Sequence, residues 1–139
     1  MSTVRNKKIG LRYQEIYNSN ILESLSEVVS EDLITPRIMP GIPSGMEGAK
    51  AAHRIMPAGF LDYQTNIDDL FAEGDKVAVR ITMTGTHQGD FMGIPPTGRH
   101  VSFTGIYVVR LANERIVEYW GKKMESACCN NLVYCPAKC

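Results

Sequence analysis

Only a handful of side chains in this 139-residue chain can exchange a proton near neutral pH, and their surroundings decide what each could do. Glu118 shares its inferred strand face with Tyr107, Val109 and Trp120. A carboxylate held in such apolar company gains basicity as its pKa rises, so Glu118 is a candidate general acid/base. Its plainer alternative is an ion pair with a neighbouring arginine, the usual state of a buried carboxylate. His87 ends an alternating stretch and opens a glycine-rich turn; it could transfer a proton at a pocket mouth or hold the turn through a structural hydrogen bond. His53 has Ala49, Ala52 and Met56 on its helical flank and is either a pocket group or a satisfied core histidine. Asp62, after Phe60-Leu61, reads as a cap or as a pocket acid, and His100, alternating away from the aromatic positions, as surface. The three histidines are scattered and none pairs at i, i+4, so no metal site is expected. No G-x-S-x-G elbow, P-loop or dinucleotide fingerprint is present. The loop Gly89–Gly98 contains Pro95-Pro96, which lack backbone donors and so suit it poorly to cradling phosphate.

All four cysteines (Cys128, Cys129, Cys135 and Cys139) fall in the final stretch of the chain. Their spacing is not that of paired C-x-x-C hooks and no histidine is near, so a tail with free thiols is expected, with zinc binding as the alternative. Hydrophobic residues are 44% and charged residues 22%, an ordinary globular composition. Lys plus Arg and Asp plus Glu each number 15, and a net charge of zero offers no excess to neutralise nucleic-acid phosphates or an anionic membrane. The same neutrality is compatible with self-association. No apolar run is long enough to span a bilayer, and Arg5, Lys7 and Lys8 are followed by no signal-like apolar stretch, so a cytoplasmic protein is expected.

The elements that must position these groups follow from periodicity. Ile9, Tyr13, Ile16 and Tyr17 recur at helical spacing over residues 3–18. Asn18-Ser19-Asn20 interrupts them, and Ile21, Leu22, Leu25, Val28 and Val29 suggest a second helix. Ser44 and Glu47 form a capping-box spacing that opens a third helix reaching Met56 and stopped by Pro57 and Gly59. From Gln64 the period becomes alternating: strands over 64–72, 76–87, 101–111 and 116–123, the first pair joined at Glu73-Gly74-Asp75 and the last at residues 112–115. Helices followed by antiparallel strands predict an α+β domain, one strongly curved sheet covered by three N-terminal helices. If Leu111 pairs with Ile116, Val109 opposes Glu118 and Tyr107 opposes Trp120. Phe103, Tyr107, Val109, Glu118, Trp120 and Met124 would then share one face, with Tyr13 and Tyr17 as further pocket-wall candidates. The other face, with Val108, Arg110, Val117 and Tyr119, is also rather apolar, and a second copy of the chain is the simplest cover.

Three stretches resemble a known family. They are Asp69–Arg80 (DLFAEGDKVAVR), Gly85–Arg99 (GTHQGDFMGIPPTGR), and Ser102–Ile106 (SFTGI) continuing through Arg115–Trp120 (RIVEYW). Together they resemble the SnoaL-like polyketide cyclases, or predicted ester cyclases, of the NTF2-like superfamily. The resemblance implies a cone-shaped sheet around an internal pocket, a homodimer, and cofactor-independent ring closure with an acidic residue as acid/base. The family's aspartate, four residues after the motif's Trp, is replaced here by Met124.

The expectation is therefore a SnoaL-like domain over residues 1–124 with a Cys-rich tail over 125–139. It binds a small, mostly apolar organic molecule and transforms it by acid/base chemistry of the cyclase, isomerase or hydrolase type, with no cofactor. The alternative is a non-catalytic small-molecule-binding protein or dimeric scaffold, which Met124 favours.

Overall fold

The computed structural model describes residues 3–35, 43, 45–91 and 93–121. Met124 and the cysteine tail lie outside them, as do the side chains of Met56 and Phe103.

Helix α1 (Thr3–Ser19) buries Asn6, Gly10, Tyr13, Gln14 and Ile16 along one side. It stops at Asn20, whose φ of 59° is a left-handed value that asparagine tolerates. The expected second helix is only a short 3₁₀ turn, Leu22–Glu27, and the chain then enters strand β1 (Val29–Ile34). Val28 and Val29 are both buried, and their β-branched shape favours the extended form over continued helix. The third helix is divided into α2 (Gly45–His53) and α3 (Ile55–Gly59).

Strands β2 (Gln64–Glu73), β3 (Lys76–Thr86), β4 (His100–Ala112) and β5 (Arg115–Gly121) pair antiparallel in sequence, as their alternation predicts. β1 adds to β5 in parallel, so the five strands run in the order β1-β5-β4-β3-β2 and the curved, open sheet is mixed rather than purely antiparallel. The missed strand is the reason: in this six-residue segment only Val29 and Leu33 are buried, so no clean alternation shows. Val77, Val79, Ile81 and Met83 of β3 face inward against Tyr107, Val109 and Leu111 of β4 and the buried stripe of α1, and this is the core.

Two register shifts decide which side chains look inward. In β2 the shift lies between Ile67 and Asp69, leaving Asp68 unpaired. In β5 it lies at Val117: Leu111 pairs with Ile116, but Arg110 then pairs with Glu118, Val109 with Tyr119 and Val108 with Trp120. One extra residue reverses every later side chain, because strand side chains alternate with period two. The inward positions therefore pass from Glu118 and Trp120 to Tyr119.

The loop after β3 is bolted down by close backbone approach. A Cβ on Gly89 would stand 2.2 Å from the Ala58 carbonyl oxygen, and one on Gly59 would stand 2.7 Å from the Phe91 Cβ. Phe91 is thereby sealed against Phe60, their ring centroids 5.2 Å apart.

Candidate functional site

Tyr13 and Tyr17 are one helical turn apart on α1 and so project from the same side. Tyr63 comes from the turn before β2, Tyr107 from β4, Tyr119 from β5, and His53 from the last residue of α2. These six rings form one cluster. His53 lies 4.1 Å from Tyr17 and 5.5 Å from Tyr13, centroid to centroid. Tyr107 stacks on Tyr119 at 5.2 Å, Tyr13 meets Tyr107 edge-on at 6.0 Å, and Tyr17 lies 5.6 Å from Tyr63.

The polar atoms of the cluster are threaded by hydrogen bonds. Tyr13 Oη and His53 Nε2 are 2.9 Å apart. The Tyr107 hydroxyl donates to Gln14 Oε1 at 2.9 Å, and Thr65 Oγ1 donates to the Tyr63 oxygen at 2.8 Å. His53 Nδ1 is buried with no protein partner. A buried polar atom left unmatched costs about 1–3 kcal/mol, so a polar atom of a bound molecule would recover that free energy.

Burial sets the protonation states. It lowers the His53 pKa to about 3, so the ring is neutral at physiological pH. It raises Tyr13 well above the ordinary phenol value, raises Tyr107 likewise, and pushes Tyr63 up to about 12, so these phenols keep their protons. The buried polar residues among those described are Asn6, Gln14, His53, Thr65 and His87, and none is a carboxylate. The cluster thus offers neutral donors and one imidazole. That set can hold a carbonyl or enolate oxygen and can move a proton between carbon and oxygen.

Of the four acid/base candidates, only His53 enters this cluster. Glu118 sits on the outer face, where it takes a hydrogen bond from Arg110 Nε. Trp120 is on that face too, 50% exposed, and is not part of the inner wall. The register shift at Val117 moved both. His87 is fully enclosed beneath Phe60 and Phe91 rather than at a pocket mouth. Its Nδ1 accepts the Thr97 backbone N–H at 3.2 Å, its own N–H donates to the Arg99 carbonyl at 2.8 Å, and its carbonyl accepts from Gly98 at 2.8 Å, so it staples the loop. Asp62 is exposed and accepts the Thr86 N–H at 2.6 Å and the Thr86 hydroxyl at 2.9 Å. The backbone bond from Thr86 is the chief reason its pKa falls, and it locks the turn before β2 to the end of β3. His100 is on the surface, with Nδ1 3.2 Å from Thr86 Oγ1. Tyr13, Tyr107 and Val109 are buried, Tyr17 is half-buried, and the backbone of Phe103 pairs with that of Met83. Sequence reasoning missed Tyr63, Tyr119 and Gln14. Knowledge of the Val117 shift would have found Tyr119; nothing in the pattern marks Gln14 as inward. Among the described residues no three His, Cys, Asp or Glu gather to hold a metal, and no helix is long and apolar enough to cross a membrane.

Known proteins share this architecture. A family profile described as SnoaL-like polyketide cyclase matches residues 7–123. The aklanonic acid methyl ester cyclase DauD of Streptomyces sp. (strain C5) is 24% identical over 112 residues, which are 78% of this chain and 69% of that protein. The structure of IdmH from Streptomyces antibioticus superposes with a TM-score of 0.78 at 30% identity, covering 91% of this chain and 97% of that one. TsrD from Streptomyces laurentii has a TM-score of 0.84 at 24% identity, covering 95% and 97%, a likeness of fold.

Neutral His53 makes stability depend on pH. Its folded pKa of about 3 lies below the ordinary 6.5, so the unfolded chain takes up the proton first. The contribution is complete above about pH 6.5 and is lost as the pH falls toward 3. Urea unfolding of the native chain should lose about 3 kcal/mol between pH 7 and pH 4 from this ring alone. A His53→Phe variant should show a correspondingly flatter profile; an unchanged slope would contradict a neutral buried His53.

Proposed function

The chain belongs to the SnoaL-like polyketide cyclase family, and from that premise we propose that it closes a ring on a small polyketide-type ester or ketone held among its inner-face tyrosines, with His53 moving the proton and Tyr13 holding its ring in place. The observation that carries this reading is the buried Tyr13–His53 hydrogen bond, 2.9 Å long, beside a ring nitrogen that has no protein partner. The chemistry balances without a cofactor. His53 Nδ1 takes the proton from a carbon flanked by carbonyl groups, in the tautomer whose Nε2–H faces Tyr13. The enolate carbon attacks a second carbonyl carbon and a C–C bond forms. The resulting alkoxide takes the proton back from the imidazolium. Burial disfavours imidazolium in the empty protein, and the negative enolate beside it offsets that penalty during the reaction. The tyrosine hydroxyls replace water as donors to the developing oxyanion, and the enclosing rings fix the folded chain of the substrate.

Aklanonic acid methyl ester, the substrate named for DauD, is the first compound to assay. His53→Gln should lower kcat by roughly 10²–10⁴-fold and Tyr13→Phe by a smaller factor, with Glu118→Gln close to the parent. The kcat/KM profile should be flat from about pH 5 to pH 8, because the free base titrates far below its ordinary value. An inflection near pH 6.5, or a large loss in Glu118→Gln, would contradict this assignment. The absence of a carboxylate among the described buried residues favours a second reading, a binding protein without turnover. Tight binding of the ester with no product, in parent and His53→Gln alike, would select it.

The quaternary proposal is a homodimer through the outer sheet face. Phe71, Ala78, Val108 and Trp120 form one row across four strands, with Ile106 one step along β4. Phe71, Ile106 and Trp120 are exposed, and the ion pairs Arg80–Asp69 and Arg110–Glu118 flank them. A face with both signs beside an apolar row can meet its own two-fold mate with opposite charges opposed. Sedimentation equilibrium should give twice the 15.5 kDa chain mass, and Trp120→Glu should give the single mass. A monomeric parent protein would end the proposal.

A further inference from the structure

Between α1 and the edge strand β2 lies a groove of about 250 Å³, lined by Leu11, Gln14, Glu15, Asn18, Thr65, Asn66 and Ile67. Leu11, Gln14, Glu15 and Asn18 are spaced i, i+3, i+4 and i+7, so one stripe of α1 forms one wall. The helix is pinned at both ends of that stripe. At Gly10 the helix packs on the sheet, where a Cβ would stand 3.4 Å from Val77 Cγ1 and 3.7 Å from Leu70 Cδ1, in ordinary van der Waals contact. At Asn18 the side-chain amide donates to the Thr65 carbonyl at 2.9 Å and its oxygen accepts the Thr65 N–H at 3.1 Å. Asn18 thereby pairs with β2 as a neighbouring strand would. Between the pins, β2 reaches its register shift after Ile67, and the groove opens there. Two anchors and a bulge are a specific way to keep a helix and a strand apart, and bulges are over-represented beside functional sites.

Two of the side chains lining the groove, Gln14 and Thr65, are buried. Gln14 lines the groove and yet is only 5% exposed, because its amide oxygen holds the Tyr107 hydroxyl inside the aromatic cluster. Tyr107 stacks on Tyr119 and meets Tyr13, the partner of His53. We propose that this groove is the portal through which a small, flat, oxygen-bearing molecule reaches the interior, and that Gln14 is its gate. This rests on the proposal that the interior is the binding site. Gln14 suits the task physically. It is unbranched and long, one neutral hydrogen bond holds its closed position, and an incoming hydroxyl or carbonyl can replace that bond as the amide swings aside. The apolar Leu11 and Ile67 receive the flat face of the molecule, and Glu15, Asn18 and Asn66 keep the rim wet.

The test has two arms, both in a Trp120→Phe/Tyr134→Phe background, so that tyrosine emission comes from residues 13, 17, 63, 107 and 119. The first arm needs no ligand: acrylamide quenching of tyrosine lifetimes. Gln14→Ala should raise the bimolecular quenching constant by roughly threefold or more, and Leu11→Phe, at a 44% exposed position that need not disturb the core, should lower it. The second arm is stopped-flow binding of 1-naphthol. Gln14→Ala should raise the association and dissociation rates together with little change in Kd, and Leu11→Phe should lower both, because a gate acts on rates. Unchanged quenching in both variants, or 1-naphthol rates that ignore both, overturns the portal. Quenching that responds as stated while 1-naphthol fails to bind the parent supports the portal and counts instead against the binding function.

Discussion

A hydrogen bond between one phenol and one neutral imidazole ties this molecule together at its centre. Tyr13 belongs to the first helix and His53 to the end of the second, and their bond joins the two across the inner face of the sheet. Burying an imidazole is tolerable only if it stays uncharged, and its depressed pKa states that condition. The Tyr13 and Tyr107 phenols keep their protons as well, since burial opposes their anions. Among the described residues the buried polar side chains are therefore uncharged, and hydroxyl donors and aromatic faces dominate the inner side.

A carboxylate among these rings would require either a counter-ion or protonation. The imidazole needs neither, and it can pass a proton in either direction while the net charge of protein and substrate stays constant. The charged residues lie elsewhere. Arg80 with Asp69 and Arg110 with Glu118 occupy the outer face, where solvent or a second copy can screen them. The two sides of one sheet are thus chemically separate, and the register shifts in β2 and β5 maintain the separation.

Much of this was legible in the residues. The helical spacing of Ile9, Tyr13 and Ile16, the alternation from Val77 to Met83 and the Glu73–Asp75 turn each led to the observed element. The loop motif from Gly85 to Arg99 pointed to the family, and its His87 proves to be the staple that shapes it. Three features were hidden for physical reasons. β1 is short and half-exposed, so it lacks a period. The bulge at Val117 leaves no mark in composition, yet it sends Glu118 outward and Tyr119 inward. Gln14 is inward only because Tyr107, far along the chain, supplies its partner. Local pattern predicts elements well; register and long-range polar pairing are decided by the whole sheet.

The ¹⁵N resonances of the two ring nitrogens report most directly whether His53 is a neutral, hydrogen-bonded ring at physiological pH. A neutral ring gives two well-separated signals, one protonated and one not, unchanged from pH 8 down to about pH 5, with the Nδ1 signal moving when a polyketide-type ester binds. Signals that merge and titrate near pH 6.5 would mean a solvent-reached, chargeable histidine, and the interior described here would have to be abandoned.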